Sequence, residues 1–315
     1  MTRQERVVKA IEFKNPDRAP VWALGPSIGL SDILTYDLSL SDPNNPKLSE
    51  WSFPRLRRRA GGWTVPEQPT LEKWKEVDAF HIPRLDFSRR FGRMEEARRV
   101  CGDRYRLARF GLSGFSVYTA LRGHTLATED YLRDPDRFTE LMLRIMDFES
   151  SMFEFVKRVG FDGVEFTDNW RLTPQSNMTL SLWRVMMRPL YQRQIELARR
   201  YNLHVWFTLS MEDAEFYPDL IELGANVLRV EHPGQVEPAQ FGRNLYGRVC
   251  LATRLDELYD PKDLKGSADD IRASYDCFRT PNGGFIATIG ASATPETLRG
   301  IYEIAQTLTG GMNLN

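Results

Sequence analysis

The sequence predicts a closed (β/α)8 barrel, the TIM-barrel class of α/β folds. Three observations lead to this prediction: strand-like and helix-like segments alternate from about residue 100 onward, seven segments have strand character, and polar side chains follow most of them. An open doubly wound sheet is the alternative, but no GxGxxG follows the first strand, which weakens it. We expect one barrel domain over residues 1–315 with an irregular insertion at about 37–85.

The N-terminal part predicts a helix, a strand and then an excursion. Apolar residues at helical spacing indicate an amphipathic helix over 2–13, and APVWAL over 19–24 indicates the first strand. Residues 37–70 are rich in Pro, Asp, Asn and Arg without a lasting period, so they predict a long insertion and a candidate dimer contact. An eighth strand is expected at about 30–36 or within 60–85.

The rest of the chain alternates regularly. The predicted strands are 104–112, 164–167, 204–209, 226–230, 249–252 and 284–289. The predicted helices are 93–100, 136–159, 181–201, 215–223, 236–244, 267–278 and 294–308. Pro189 lies inside the 181–201 segment, where it predicts a kink or a break.

The composition and net charge limit the classes of binding partner that the chain could have. The formal net charge is −1, which gives no electrostatic case for nucleic acid or for an anionic membrane surface. The sequence has no run of 18 apolar residues and no apolar signal core, so a cytoplasmic location is expected. Three cysteines that lie far apart fit reduced thiols better than a disulfide framework.

The strongest functional signal is the stretch GFDGVEFTDNW, residues 160–170. Asp168, Asn169 and Trp170 follow the strand 164–167 directly. Because ligand sites in parallel α/β folds lie at the carboxyl ends of the strands, this triplet predicts the floor of a small-molecule site. The alternative is that Asp168 and Asn169 only cap the following turn.

Other strand ends supply further candidates. Glu231 and His232 pair a carboxylate with an imidazole and could act as general acid and base, or the histidine could be structural. Arg254 beside Asp256 could clamp a substrate carboxylate or form a rim ion pair. The remaining candidates for substrate binding are Arg109, Tyr118 and Ser210. HExxH, paired CxxC, GxSxG and GxxxxGK[ST] motifs are absent from the sequence.

Seven pieces in order resemble the uroporphyrinogen decarboxylase superfamily, which also contains corrinoid-dependent methyltransferases. They are RVVKAIEFKNPDRAPVW, GGWTVPEQPTLEKWKEVDAFHIP, GVEFTDNW, LWRVMMRPLYQRQIELARRYNLHVWF, PDLIELGANVL, TRLD and GGFIATIG. The resemblance covers nearly the whole chain and is closer to the methyltransferase branch. It implies a (β/α)8 barrel with its site at the C-terminal mouth and Asp168 as a carboxylate facing that site.

The departures from the family pattern change the expected chemistry. Where the zinc-dependent methyltransferases carry His-x-Cys and a later Cys, this chain has Thr208, Ser210 and a position near Ala291. Hydroxyl and methyl groups do not replace imidazole and thiolate as zinc ligands, so no zinc is expected. The arginine of the decarboxylases' N-terminal loop and their late histidine are also missing.

Three functions follow from this comparison. The first is a zinc-independent methyltransferase-like enzyme, which uses Asp168, Glu231 and His232 for protons and Trp170 and Tyr118 as an apolar wall. Its substrate would be small and carboxylated or aromatic. The resemblance implies no tightly bound cofactor, only a corrinoid (cobalamin) on a partner protein. The second is a decarboxylase or other lyase that uses Arg109 or Arg254 as the anion anchor. Its substrate would be carboxylated, and a tetrapyrrole-like compound is one candidate. The third is a non-catalytic binding subunit.

Overall fold

A computed structural model describes the backbone of residues 1–309 apart from 25–28, 30, 55–57, 60–61, 64–67, 171–177, 210, 231–244 and 291–292. For 58–59, 62–63, 91, 93–98, 211–213, 277–278 and 305–309 it describes the backbone alone.

The described elements alternate as the sequence predicts. The strands are β1 (Val21–Ala23), β2 (Ile33–Asp37), β3 (Arg58–Arg59), β4 (Gly62–Trp63), β5 (Tyr105–Arg109), β6 (Gly163–Thr167), β7 (His204–Leu209), β8 (Val227–Val230), β9 (Cys250–Arg254) and β10 (Phe285–Ile289). The helices are α1 (Arg3–Ile11), α2 (Trp74–Ala79), α3 (Phe87–Cys101), α4 (Gly114–Arg122), α5 (His124–Arg133), α6 (Pro135–Ser150), α7 (Phe153–Arg158), α8 (Leu180–Met186), α9 (Arg188–Arg200), α10 (Tyr217–Leu223), α11 (Leu264–Phe278) and α12 (Pro295–Thr309). A 3-10 helix over Met211–Phe216 precedes α10.

Among the described residues, eight strands form one sheet in the order β1-β10-β9-β8-β7-β6-β5-β2. The pairs β1–β10, β10–β9, β8–β9 and β6–β7 are parallel. The eighth strand is β2, which confirms the earlier of the two expected places. With helices between most successive strands of the described chain, this is the (β/α)8 TIM-barrel fold, and the fold prediction is confirmed.

The chain divides into two compact units. Unit 1 comprises Met1–Thr35, Val100–Leu107 and Ala225–Asn315, and unit 2 comprises Tyr36–Arg99 and Ala108–Gly224. Whether they behave as the predicted single domain stays a prediction.

In unit 1, a buried carboxylate ties the N-terminal helix to the first strands. Asp32 is fully buried and accepts hydrogen bonds from Arg6 at 2.8 Å, from both terminal nitrogens of Arg18 at 2.8 and 2.9 Å, and from the Val21 amide at 2.8 Å. Thr2 caps α1 in a capping box with Glu5. This network fixes the chain where it enters the sheet.

In unit 2, β6 and β7 run in register and pack an aromatic layer. Phe166 of β6 lies against Phe110, Phe153 and Phe207, with ring centroids 5.4 to 6.0 Å apart. Such contacts bury large apolar areas, so they are a main source of stability for this unit. The insertion contains the short antiparallel pair β3–β4 and the helix α2.

Two predicted helices are each divided. The segment 181–201 becomes α8 and α9, with the break at Met187 and Pro189 in the first turn of α9, as a proline requires. The segment 136–159 becomes α6 and α7, which the sequence does not predict. Ser151 Oγ donates to the Phe148 carbonyl at 2.5 Å at this break, and such a local bond competes with continued helix.

In the described part of the chain, each helix is too short or too polar to cross a membrane. Cys101 and Cys250 are buried free thiols. The predicted helix 236–244 lies outside the described residues.

Candidate functional site

The interior of unit 2 carries a charged residue in the middle of a buried strand. Glu165 of β6 is fully buried, and its Oε1 accepts a hydrogen bond from Thr208 Oγ1 of β7 at 2.5 Å. Strand side chains alternate between faces, so Glu165 lies opposite the Phe166 layer. A carboxylate in this position needs compensating partners, because burying an unpaired charge costs several kcal/mol.

Arg109, the last residue of β5, supplies the compensating charge. Its Nε donates to Glu165 Oε2 at 2.8 Å, and its side chain keeps 23% of its exposure while that of Glu165 keeps none. Burial opposes the charged form of Arg109, but the charges of Glu165 and Asp37 outweigh it and raise its pKa. We call Arg109, Glu165 and Thr208 the strand-end network.

A pocket opens at the carboxyl ends of β2 and β5, next to this network. Its volume is about 120 Å³. Asp37 ends β2, and Gly111 and Leu112 follow β5, so the pocket lies where barrel enzymes place their active sites. The lining residues are Asp37, Ser39, Leu40, Ser49, Glu50, Trp51, Phe53, Gly111, Leu112 and Val117.

The outer wall of this pocket comes from the insertion and is held by a buried ion pair. Glu50 binds Arg90 of α3, which is 1% exposed, and also accepts the Leu40 amide at 3.0 Å. Ser49 Oγ is buried without a hydrogen-bond partner among the described residues. Because buried hydroxyls are normally satisfied, this group indicates room for a polar atom of a ligand or a water.

Asp168 lies directly after β6, as predicted, but it is 2% exposed and surrounded by donors. It accepts the amides of Phe115 at 3.1 Å, Ser116 at 2.7 Å and Asn169 at 2.9 Å, together with the Ser116 hydroxyl at 2.8 Å. The Tyr191 hydroxyl also donates to it. Burial raises the pKa of Asp168 to about 6, although these hydrogen bonds oppose the rise. This geometry gives Asp168 a capping role at the start of α4. The predicted alternative places such a cap at the turn that follows β6.

Glu149 of α6 shares that helix end with Asp168. It accepts the Gly114 amide at 2.8 Å and Gln194 Nε2 at 2.7 Å, and it is 2% exposed. Burial and the nearby charge of Asp168 raise the pKa of Glu149 to about 8. Gly114 has φ +49°, and a Cβ there would lie 2.5 Å from Asp168 Oδ2 and 2.7 Å from Tyr191 Oη. Only glycine therefore fits between Asp168, Tyr191 and the start of the helix.

The predicted apolar wall has its own partners. Trp170 is fully buried, donates to Tyr191 Oη at 2.9 Å and packs against Trp183 and Phe216. Tyr118 is also fully buried, within α4, and donates to Asp130 at 2.7 Å; burial raises the pKa of its hydroxyl.

These placements give Trp170 and Tyr118 structural contacts, and their predicted contact with substrate stays a prediction. The same holds for Asn169, which is half-buried.

In unit 1, Arg254 and Asp256 form the predicted pair. Arg254 Nε lies 3.0 Å from Asp256 Oδ1, a second nitrogen also binds Asp256, and Nη1 lies 3.0 Å from Glu257. Asp256 further accepts the Gly290 amide at 2.9 Å. The two carboxylates around Arg254 are those that a rim ion pair would have, and its predicted contact with a substrate carboxylate stays a prediction.

Three predicted site residues, Ser210, Glu231 and His232, lie outside the described residues. Their proximity to the other candidates stays a prediction.

The residues present do not fit the zinc site of the methyltransferases that the sequence resembles. Thr208 stands where the resemblance places a ligand histidine, and its hydroxyl is 3% exposed and bound to Glu165. In the part of the chain that is described, no three His, Cys, Asp or Glu residues could hold a metal ion together.

Sequence reasoning missed Glu165 and Glu149 as site residues, although both left a signal. Glu165 interrupts an apolar strand, and Glu149 follows Ile145 by four residues and so lies on the apolar face of α6. A charged residue on a buried face is the informative exception. Tyr191 left no such signal, because a tyrosine on an amphipathic helix is ordinary.

Comparison with solved structures supports the fold. A methyltransferase from Methanosarcina mazei superposes with a TM-score of 0.72 at 13% identity and covers 98% of this chain and 99% of that chain. The putative vitamin-B12 independent methionine synthase from Listeria monocytogenes gives a TM-score of 0.46 at 10% identity over 69% of this chain and 68% of that chain. No protein-family model and no curated protein matches the sequence. The likeness to the Methanosarcina protein shows a shared fold, which is the fold that the family resemblance implies.

Proposed function

We propose that the chain is a methyltransferase-like TIM-barrel enzyme that works without zinc on a small carboxylated or aromatic substrate. The observation that carries the proposal is the strand-end network, in which Thr208 and Arg109 both hold Glu165. Charged side chains inside a barrel at its carboxyl end are costly and usually serve chemistry. Here such a network includes the position at which the family carries a metal ligand.

The substrate in this proposal lies in the pocket beside β2 and β5. Arg109 keeps its positive charge, and a guanidinium suits recognition of a carboxylate, so the proposal assigns the substrate carboxylate to Arg109. Trp51, Phe53 and Leu112 supply apolar surface for the body of the substrate. This combination suits a small organic acid.

The methyl group in this proposal comes from a corrinoid on a partner protein, which supplies a methyl carrier when it docks. The chain itself would orient the acceptor and manage its proton. Glu231 and His232, which follow β8, are the proposed acid and base. Asp168 contributes by fixing α4, whose residue Val117 lines the pocket.

The decarboxylase alternative is less favoured because Arg254, one of its two proposed anchors, is already neutralised by Asp256 and Glu257. Arg109 is the proposed anchor in either function, so the reaction product distinguishes the two functions.

The test mixes purified protein with methylcobalamin and a panel of small carboxylates and phenols, and it follows the absorbance of methylcobalamin. We expect faster loss than without protein for at least one acceptor. The double variant Arg109→Gln/Glu165→Gln should slow it at least tenfold, roughly the value of one charged hydrogen bond. Arg200→Gln, an exposed arginine at the end of α9, is the matched control and should keep the rate.

Three outcomes would contradict the proposal. Release of carbon dioxide from a carboxylate would indicate the lyase function. Binding without turnover would indicate a binding subunit. An unchanged rate in the double variant would remove the strand-end network from the site.

A further inference from the structure

We propose a second ligand site in unit 1, at the amino ends of β1 and β10, for a small monocarboxylate with an apolar body. A pocket of about 330 Å³ lies there, between the chain that enters β1 and the turn that enters β10. Asp256 and Gly290 mark the other ends of the neighbouring strands β9 and β10. The site is therefore separate from any chemistry at the carboxyl ends.

One side of the pocket carries the positively charged Arg279, which is stacked on the aromatic ring of Tyr275. The guanidinium of Arg279 stacks over Tyr275 at 4.7 Å from the ring centroid, and Tyr275 packs edge-on against Phe285 at 5.1 Å. Both rings line the pocket and are less than a tenth exposed. Stacking limits the freedom of the guanidinium, so less entropy is lost when it binds an anion.

The charges around the pocket leave Arg279 as its anion-binding group. Arg18 also lines the pocket, but it binds Asp32 with two nitrogens, and Asp17 is bound by Arg6 at 2.6 and 2.8 Å. The two positive charges of Arg6 and Arg18 therefore balance the two negative charges of Asp17 and Asp32.

Arg279 Nη1 donates to Tyr275 Oη at 3.5 Å, and Arg279 also forms an ion pair with Asp276 at 3.5 Å, on the surface with 58% of the Asp276 side chain exposed. Such surface pairs contribute little, so a ligand carboxylate can replace this one.

The backbone holds the pocket open before any ligand arrives. Asn15 has φ 53°, and its amide donates to the Asn282 carbonyl at 2.8 Å. Gly284 donates to the Ala10 carbonyl at 2.8 Å, and a Cβ on Gly283 would lie 3.1 Å from that carbonyl. The chain before β1 and the turn before β10 are thus held close together. A preformed pocket of this kind binds a ligand with a smaller cost in conformational entropy.

The carboxylate fits better than a phosphate dianion, because one arginine, paired weakly with the exposed Asp276, matches one negative charge. The apolar walls formed by Ala19, Pro281 and Phe285 suit a small hydrocarbon body. A ligand here would stabilise the strand entry and act as an effector rather than as a substrate, since the amino end of a barrel serves stability.

The test measures benzoate binding to the full chain by titration calorimetry, with benzamide and inorganic phosphate as comparison ligands. We expect benzoate to bind and the other two to bind at least tenfold more weakly. Arg279→Gln should weaken benzoate binding roughly tenfold, the effect of losing one charge-assisted hydrogen bond. Arg272→Gln, an exposed arginine on α11, is the matched control and should leave binding unchanged.

The double variant Arg109→Gln/Glu165→Gln separates this site from the proposed active site. Benzoate binding that survives in it but falls in Arg279→Gln supports the second site, whether or not the enzyme proposal holds. Equal binding of benzoate by wild type and Arg279→Gln, no benzoate binding at all, or stronger binding of phosphate would overturn the inference. Circular dichroism of each variant confirms that it is folded.

Discussion

Glu149 and Asp168 bind consecutive amides of the same helix end. Glu149 accepts the Gly114 amide, and Asp168 accepts those of Phe115 and Ser116. The positive end of a helix favours negative charge, so Asp168 stabilises the start of α4, and the charge of Asp168 helps burial to raise the pKa of Glu149. Tyr191 of α9 donates to Asp168 Oδ2, which also accepts the Phe115 amide, and Gln194 of α9 donates to the second oxygen of Glu149. These bonds join α4, α6, α9 and the end of β6 into one polar network.

Asp168→Asn should destabilise the fold by roughly 2 to 4 kcal/mol, because an amide turns one acceptor into a donor among groups that already donate. Urea unfolding followed by circular dichroism measures this change. Asp147→Asn, from a surface pair with Arg193, is the control and should change stability by less than about 1 kcal/mol. A stable Asp168→Asn that loses ligand binding would instead favour a substrate role.

Gly114→Ala should destabilise the protein by roughly 1 to 3 kcal/mol from its backbone conformation alone, and further by displacing Asp168. Gly92→Ala in α3 is the matched control, since a Cβ there meets no atom within 4 Å. That substitution should be neutral or stabilising by up to about 1 kcal/mol. The measurement is the melting temperature of each variant. Equal melting temperatures for Gly114→Ala and Gly92→Ala would show that the close approach at Gly114 is tolerated.

Stability should fall as the pH rises toward 8 because of Glu149. Its pKa is raised from 4.5 to about 8 in the folded protein, so the folded state holds a proton that the unfolded chain has lost. That contribution is complete below the unfolded pKa and disappears as the pH passes the folded pKa.

Urea titrations between the ordinary pKa of 4.5 and the folded pKa of about 8 should show stability falling with pH in wild type and a flatter dependence in Glu149→Gln. Parallel curves for the two proteins would mean that Glu149 is ionised when folded.

Arg109→Gln should cost roughly 3 to 5 kcal/mol, because it leaves the fully buried Glu165 without its cation. The double variant Arg109→Gln/Glu165→Gln should recover most of that loss, since neither charge remains. A double-mutant cycle by chemical unfolding gives the coupling. Additive effects would show that the two side chains do not depend on each other.

Dialysis against a chelator should leave the melting temperature unchanged, because the hydroxyl of Thr208 binds Glu165 and is a poor zinc ligand. Elemental analysis of the purified protein provides the second measurement. Zinc at one equivalent per chain would show that the alignment at Thr208 is wrong.

The sequence determined the order of strands and helices because their signals are local. The periodicity of residues 204–209 predicted β7 at its observed bounds, and Pro189 located the break between α8 and α9. Asp168 was found at a strand end for the same reason. These features depend on residues within a few positions of one another.

Only the tertiary structure decided what these side chains meet. Asp168 is engaged by α4 and by Tyr191, which lie 52 and 23 residues away in the chain. Arg109 and Glu165 are 56 residues apart and pair because β5 and β6 are neighbours in the sheet. Periodicity shows which face a residue occupies, but long-range packing selects its partners and thereby sets its charge state.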